Sequence, residues 1–120
     1  MTRILVADDD PSVRSVVRDA LQQDGYQVET VSTGRQALRA FARHRPALLL
    51  LDLVMPDMDG PCLVRTLRDQ TRWGRVPMVV LSAEAEAPEM GARLGAQACV
   101  PKPFDLQQLL ATVEQVAPPA

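Results

Sequence analysis

Three stretches of this chain are continuously apolar yet too short for helices: Ile4-Leu5-Val6-Ala7, Ala47-Leu48-Leu49-Leu50-Leu51 and Met78-Val79-Val80-Leu81. A strand with one face in water alternates apolar and polar residues. An unbroken run suits a strand buried on both faces, the situation of a parallel sheet covered by helices. Ala98-Cys99-Val100 is a shorter run of the same kind, and Val28 to Val31 is a weaker, alternating one. Five candidate strands result.

Amphipathic segments lie between and after them. Asp10 is placed to cap a first helix, with Pro11 at its first position. Val13, Val16, Val17, Ala20 and Leu21 are expected on its apolar face, and Gly25 ends it. Thr33 caps a second helix whose face is Ala37, Leu38, Ala40 and Phe41. A third runs from about Pro61 to Gln70 with Leu63, Val64 and Leu67. The fourth, between Ala85 and Leu94, contains Pro88 and Gly91 and is expected to span only about two turns. The fifth starts at Asp105 and buries Leu106, Leu109, Leu110 and Val113. Five strands alternating with five helices imply an α/β fold, a doubly wound parallel sheet with helices on both faces. Ligands in such sheets bind outside the carboxyl ends of the strands.

The 120 residues suit one domain. Residues 1–117 are read as that domain and 118–120, in a Pro-Pro stretch, as a tail or the start of a linker. The net charge is -2. Arg14, Arg18, Arg35, Arg39, Arg43, Arg45, Arg65 and Arg68 are scattered as on solvated helix faces. Both features argue against direct nucleic-acid binding, which needs clustered positive charge. Cys62 and Cys99 form no CxxC and read as reduced thiols. The apolar stretch at the N-terminus is too short for a signal peptide, and no run approaches a membrane span. A cytoplasmic protein is expected, with no membrane contact. Lys102 is the single lysine beside twelve arginines.

The strand ends carry the chemistry. The first run ends in Asp8-Asp9-Asp10, the third in Asp52 and the fourth in Ser82, while Lys102 and Pro103 follow the fifth. One edge of a parallel sheet brings these together. Two carboxylates about 4 Å apart repel by ~1–4 kcal/mol, so such a cluster raises its own pKa values or recruits a cation. Hard oxygen ligands with room for water favour Mg²⁺, which commonly pairs one or two carboxylates with phosphate oxygens.

From ILVADDD through LLLLDLVMPDMDG and VVLSA to KPF, the chain resembles the receiver domain of two-component response regulators. The resemblance covers nearly the whole chain. It implies a flavodoxin-like fold with strand order 2-1-3-4-5, and a phosphorylation-dependent switch rather than an enzyme acting on free substrates. It implies that Asp52 accepts a phosphoryl group from a histidine kinase or a histidine phosphotransfer protein. Asp9 matches the direct Mg²⁺ ligand and Asp8 its acidic neighbour, and Val54 matches the position whose backbone carbonyl completes the metal site. Ser82 matches the switch hydroxyl, Lys102 the lysine that pairs with a phosphoryl oxygen, and Pro103 the proline after a cis peptide bond. Ala83 leaves the site open above, and Val54 and Glu84 occupy the positions that tune dephosphorylation. Valine cannot orient an attacking water, so a persistent phosphoryl group is expected. The downstream partner would be a separate protein or an output domain outside this chain, with the domain itself a monomer or weak dimer.

Two positions depart from the family pattern. Cys99 stands where an aromatic residue usually lies, three before the lysine, and Pro101 removes a backbone donor at the strand end. Both point to an altered output face around the fourth helix and fifth strand. Other polar residues take plainer readings: Asp10 as a cap, Asp57 and Asp59 as turn residues, His44 as a helix-end residue and Trp73 as half-buried packing. The competing functions are a constitutive interaction module that never takes phosphate and a phosphatase. The complete set Asp8, Asp9, Asp52, Ser82 and Lys102 opposes the first. The absence of a separate general acid or base in the motifs opposes the second.

Overall fold

The computed structural model describes residues 1–69 and 76–119. Trp73 and the expected helix end at Gln70 lie outside them. Strands β1 (Arg3–Ala7), β2 (Gln27–Val31), β3 (Leu48–Leu51), β4 (Met78–Ser82) and β5 (Ala98–Pro101) alternate with α1 (Pro11–Gln23), α2 (Gly34–Arg43), α3 (Gly60–Asp69), α4 (Ala87–Leu94) and α5 (Leu106–Val116). The strands pair in parallel in the order β2-β1-β3-β4-β5. The doubly wound sheet expected from the apolar runs is therefore present.

The runs are continuous because each strand feeds two cores. Ile4, Val6, Leu48, Leu50, Val79 and Leu81 pack with α1 and α5. Leu5, Ala7, Leu49, Leu51, Met78 and Val80 pack with α2, α3 and α4 on the other face. Successive side chains point to opposite faces of a strand, so both sets must be apolar. Each fully buried leucine or valine contributes about 1.5–3 kcal/mol relative to exposure. On the edge strand β2 the pattern relaxes, and Gln27 is exposed.

Local chemistry sets the helix ends. Asp10 accepts from the Ser12 amide at 2.9 Å, Thr33 from the Gln36 amide at 3.1 Å and Asp105 from the Gln107 amide at 2.8 Å. Each satisfies a donor that the first turn cannot. His44 caps the end of α2 through its amide, which donates to the Ala40 carbonyl at 2.9 Å. The α4 segment survives its two unfavourable residues. Pro88 falls in the first turn, where a missing N–H costs little. Gly91 sits so close to β4 that an added Cβ would meet Val80 Cγ2 at 3.3 Å.

One expected core residue is exposed, while Val13, Ala20, Leu38, Leu106 and Leu110 are half-buried. Val13, Val17, Ala20 and Leu21 line the inner face of α1, but Val16 is 50% exposed. At 100° per residue, Val16 stands a quarter-turn from Val17, beyond the buried stripe. At β5, Pro101 is exposed and pairs in register with Ser82 on an edge strand, where a missing donor is tolerated. Among the described residues no helix is long and apolar enough to cross a membrane.

Candidate functional site

β1, β3 and β4 lie side by side, so their carboxyl ends open into one cleft. Asp8 directly follows β1 and is 1% exposed; Asp52 directly follows β3 and is 7% exposed. The Asp52 amide donates to the Ala7 carbonyl at 2.9 Å, which extends the β1–β3 ladder into the site. Asp8, Asp9 and Asp52 each offer a carboxylate oxygen, and these atoms all lie within 4.8 Å of one another. Asp8 and Asp52 are buried, whereas Asp9 faces solvent.

The fifth strand end supplies the counter-charge. Lys102 Nζ donates to Asp8 Oδ2 at 2.7 Å and to Asp52 Oδ2 at 3.2 Å. The Lys102 amide donates to the Ser82 carbonyl at 3.0 Å, which ties the two strand ends together. The Lys102–Pro103 bond is cis. Ser82 is buried, and its Oγ accepts from the Glu84 amide at 3.1 Å. Asp52 Oδ1 accepts from the Val54 amide at 3.1 Å. Ala83 and Glu84 are exposed above the cleft, as is Val54.

These contacts set the acidities. Burial raises the Asp52 pKa; the Val54 amide and then Lys102 oppose it, and the Asp8 charge reinforces it. Burial acts to lower Lys102. The hydrogen bond and charge of Asp8, followed by those of Asp52, outweigh it and leave the ammonium above its ordinary value. One ammonium faces three carboxylates, so negative charge remains in excess. Three hard oxygen donors, two in the floor and one at the water-facing rim, fit a divalent cation that keeps part of its water shell.

The chain matches the family model for the response regulator receiver domain over residues 4–114. The chain belongs to that family. It is 42% identical over 113 residues to the transcriptional regulatory protein KdpE of Mycobacterium tuberculosis, covering 92% of this chain and 49% of that protein. The chain thus spans about half the length of the curated relatives it matches. The solved structure of the chemotaxis response regulator CheY4 of Vibrio cholerae superposes with a TM-score of 0.89 at 35% identity, covering 97% of this chain and 98% of that one. The receiver domain of the sensor histidine kinase PA1611 of Pseudomonas aeruginosa superposes at 0.84 with 30% identity and 95% coverage of each chain. That structure has a magnesium ion coordinated in its active-site cleft.

In this receiver domain the structure brings together every cluster residue expected from the strand ends. It also shows connections that sequence reading missed. Arg14, read as a solvated residue, donates from Nη1 to the Asp8 carbonyl at 2.8 Å and fastens α1 to the acidic turn. Asp57, read as a turn residue, accepts from the Gly34 amide at 2.8 Å and the Arg35 amide at 3.1 Å. It thereby caps α2 from the loop after β3, and these amides hold its carboxyl below the usual range. Asp59 caps α3, accepting from the Cys62 amide at 2.7 Å; the DG pair before an apolar helix was a usable signal for that cap. Cys99 is half-buried against the core beneath α4, and burial pushes its thiol pKa up.

Gly60 explains the tightness of the loop after Asp52. Its amide donates to the Leu53 carbonyl at 2.8 Å. An added Cβ would lie 2.8 Å from Leu53 Cα, closer than backbone permits.

Proposed function

We propose that the chain is a phosphorylation-switched signalling unit, residues 1–117, in which Asp52 is the phosphoacceptor. The observation that carries this reading is the Asp52 carboxylate itself. It is buried, held at one oxygen by the Val54 amide and at the other by Lys102, and it lies against two further carboxylates. An Asp52 oxygen attacks the phosphorus of a phosphohistidine on a histidine kinase or phosphotransfer protein. The P–N bond breaks as the new O–P bond forms, and Asp52 becomes an acyl phosphate.

Asp8, Asp9, Asp52 and the Val54 carbonyl are the residues that would hold Mg²⁺. When bound, the metal neutralises charge on the transferring group. Lys102 shifts its ammonium from the carboxylates to a phosphoryl oxygen. Ser82 trades its bond with the Glu84 amide for one with the phosphoryl group, moving the loop that carries Ala83 and Glu84. The Val54 side chain carries no polar group to orient an attacking water, which favours a persistent acyl phosphate. Small, half-buried Cys99 makes the output face differ from that of receivers with an aromatic residue there. The readout falls to a protein partner or to an output domain.

Incubation with acetyl phosphate and Mg²⁺ will add one phosphoryl group to the chain, seen by intact-mass spectrometry, and Asp52→Asn will abolish it. An unchanged mass in the wild type, together with no NMR response to beryllium fluoride, would sink this reading in favour of a constitutive interaction module.

A further inference from the structure

Beside the acidic cleft, between the loop after β3 and the start of α4, lies a cavity of about 320 Å³. Buried Leu53 and Ala87 with half-buried Met90 form its floor. Exposed Asp59, Glu84 and Glu86 stand around its mouth. Val54 opens onto the same space and is 54% exposed, which is unusual for a large apolar side chain in this chain. Among the described residues the Glu84 and Glu86 carboxylates have no hydrogen-bond or ion-pair partner, and Lys102 is engaged with Asp8 and Asp52.

The two features specify one kind of occupant. An apolar floor rewards burial of hydrocarbon. A mouth of carboxylates repels phosphates, so nucleic acid and anionic lipid surfaces are excluded. A purely apolar side chain would leave the Glu84 and Glu86 carboxylates without a partner. Arginine and lysine carry an apolar stem and a cationic head, and they lay the stem on apolar surface while the head meets carboxylates. We propose that this cavity is a docking site for a basic side chain presented by a partner protein.

Its walls are the two loops of the candidate phosphorylation site. Leu53 and Val54 directly follow Asp52, and the Glu84 amide is held by Ser82 Oγ. Movement of Ser82 therefore reshapes the mouth, and occupancy and phosphorylation are reciprocally coupled. This coupling, unlike the docking itself, rests on the phosphoacceptor reading above.

The test is an NMR titration of the full chain with acetyl-Leu-Arg-Leu-amide, beside peptides with glutamate or norleucine in place of arginine. The arginine peptide is expected to bind weakly, in the millimolar range for so small a ligand, and to shift Leu53, Val54, Ala87 and Met90 selectively. Glu86→Lys, an exposed change that leaves the core intact, should weaken it about three- to fivefold, and added salt should do the same. Equal binding of the norleucine peptide, shifts centred elsewhere, or indifference to Glu86→Lys would each overturn the proposal. Beryllium fluoride with Mg²⁺ is then added. A changed peptide affinity supports the coupling, and an unchanged affinity in a protein that does respond overturns it. Peptide binding in a protein that ignores beryllium fluoride leaves the docking site standing and removes the phosphoacceptor reading.

Discussion

Both ends of the sheet gather carboxylates, but among the described residues only one end pairs them with a cation. At the carboxyl end, Lys102 sits between Asp8 and Asp52. At the opposite end, Asp24 closes α1 and meets Glu114 of α5. Their hydrogen bond and the Asp24 charge raise the Glu114 pKa, while one buried Asp24 oxygen has no donor. No cation pairs with either among the described residues. Nearby, Tyr26 is buried and donates to the Ala117 carbonyl at 2.7 Å; burial first, then Asp24 and Glu114, raise its pKa. The contrast separates two ways of housing crowded acids. The cluster at the carboxyl end carries its own counter-ion. The pair joining α1 to α5 has no such counter-ion among the described residues, and its Glu114 carboxyl takes up a proton more readily than a free one.

The strongest attack on this contrast removes the cation. Without divalent metal at neutral pH, Lys102→Met should cost about 3–5 kcal/mol in urea denaturation, because it strands buried carboxylates. A loss below ~1 kcal/mol, the level of a surface pair, would show that the cleft needs no internal counter-ion. Metal comes next. Mg²⁺ at about a hundred times its dissociation constant should add about 2.7 kcal/mol to wild-type stability, reversed by chelation. Asp9→Asn should lose most of that increment, whereas changes at Glu114 should leave it intact.

Two smaller effects probe the opposite end of the sheet. Tyr26→Phe leaves the Ala117 carbonyl without its donor and should lower stability by about 1–3 kcal/mol. Glu114→Gln should raise stability modestly at neutral pH, since an amide can donate to the orphaned Asp24 oxygen. The sign follows from proton binding. Glu114 has a folded pKa above its ordinary value of about 4.3, so in the window between them the folded state binds more protons. Stability falls as pH rises through that window. The advantage of Glu114→Gln should therefore be full above it and vanish below it; a constant advantage at all pH values would mean that no proton is shared.

Much of the cleft was legible in the sequence because its members are punctuation. Asp8, Asp52 and Ser82 terminate or directly follow apolar runs, and a parallel sheet aligns run ends whatever the intervening loops do. Arg14 and Asp57 were not legible in the same way. Each lies on an ordinary helix or turn, and its role depends on a backbone group that the fold alone brings within reach. Val16 was misplaced for a more local reason, since apolar identity was counted without the angle that carries it off the buried stripe.

The sequence by itself determined the strands, the helix ends and which side chains stand at the carboxyl edge of the sheet, because those follow from apolar period, capping residues and chain direction. Tertiary structure alone decided that Lys102 lies closer to Asp8 than to Asp52, that Asp57 caps a helix 23 residues before it, and that Asp24 meets Glu114 across the molecule. Such pairings depend on distances of a few tenths of an ångström between segments remote in the chain, and no local pattern of residues encodes those distances.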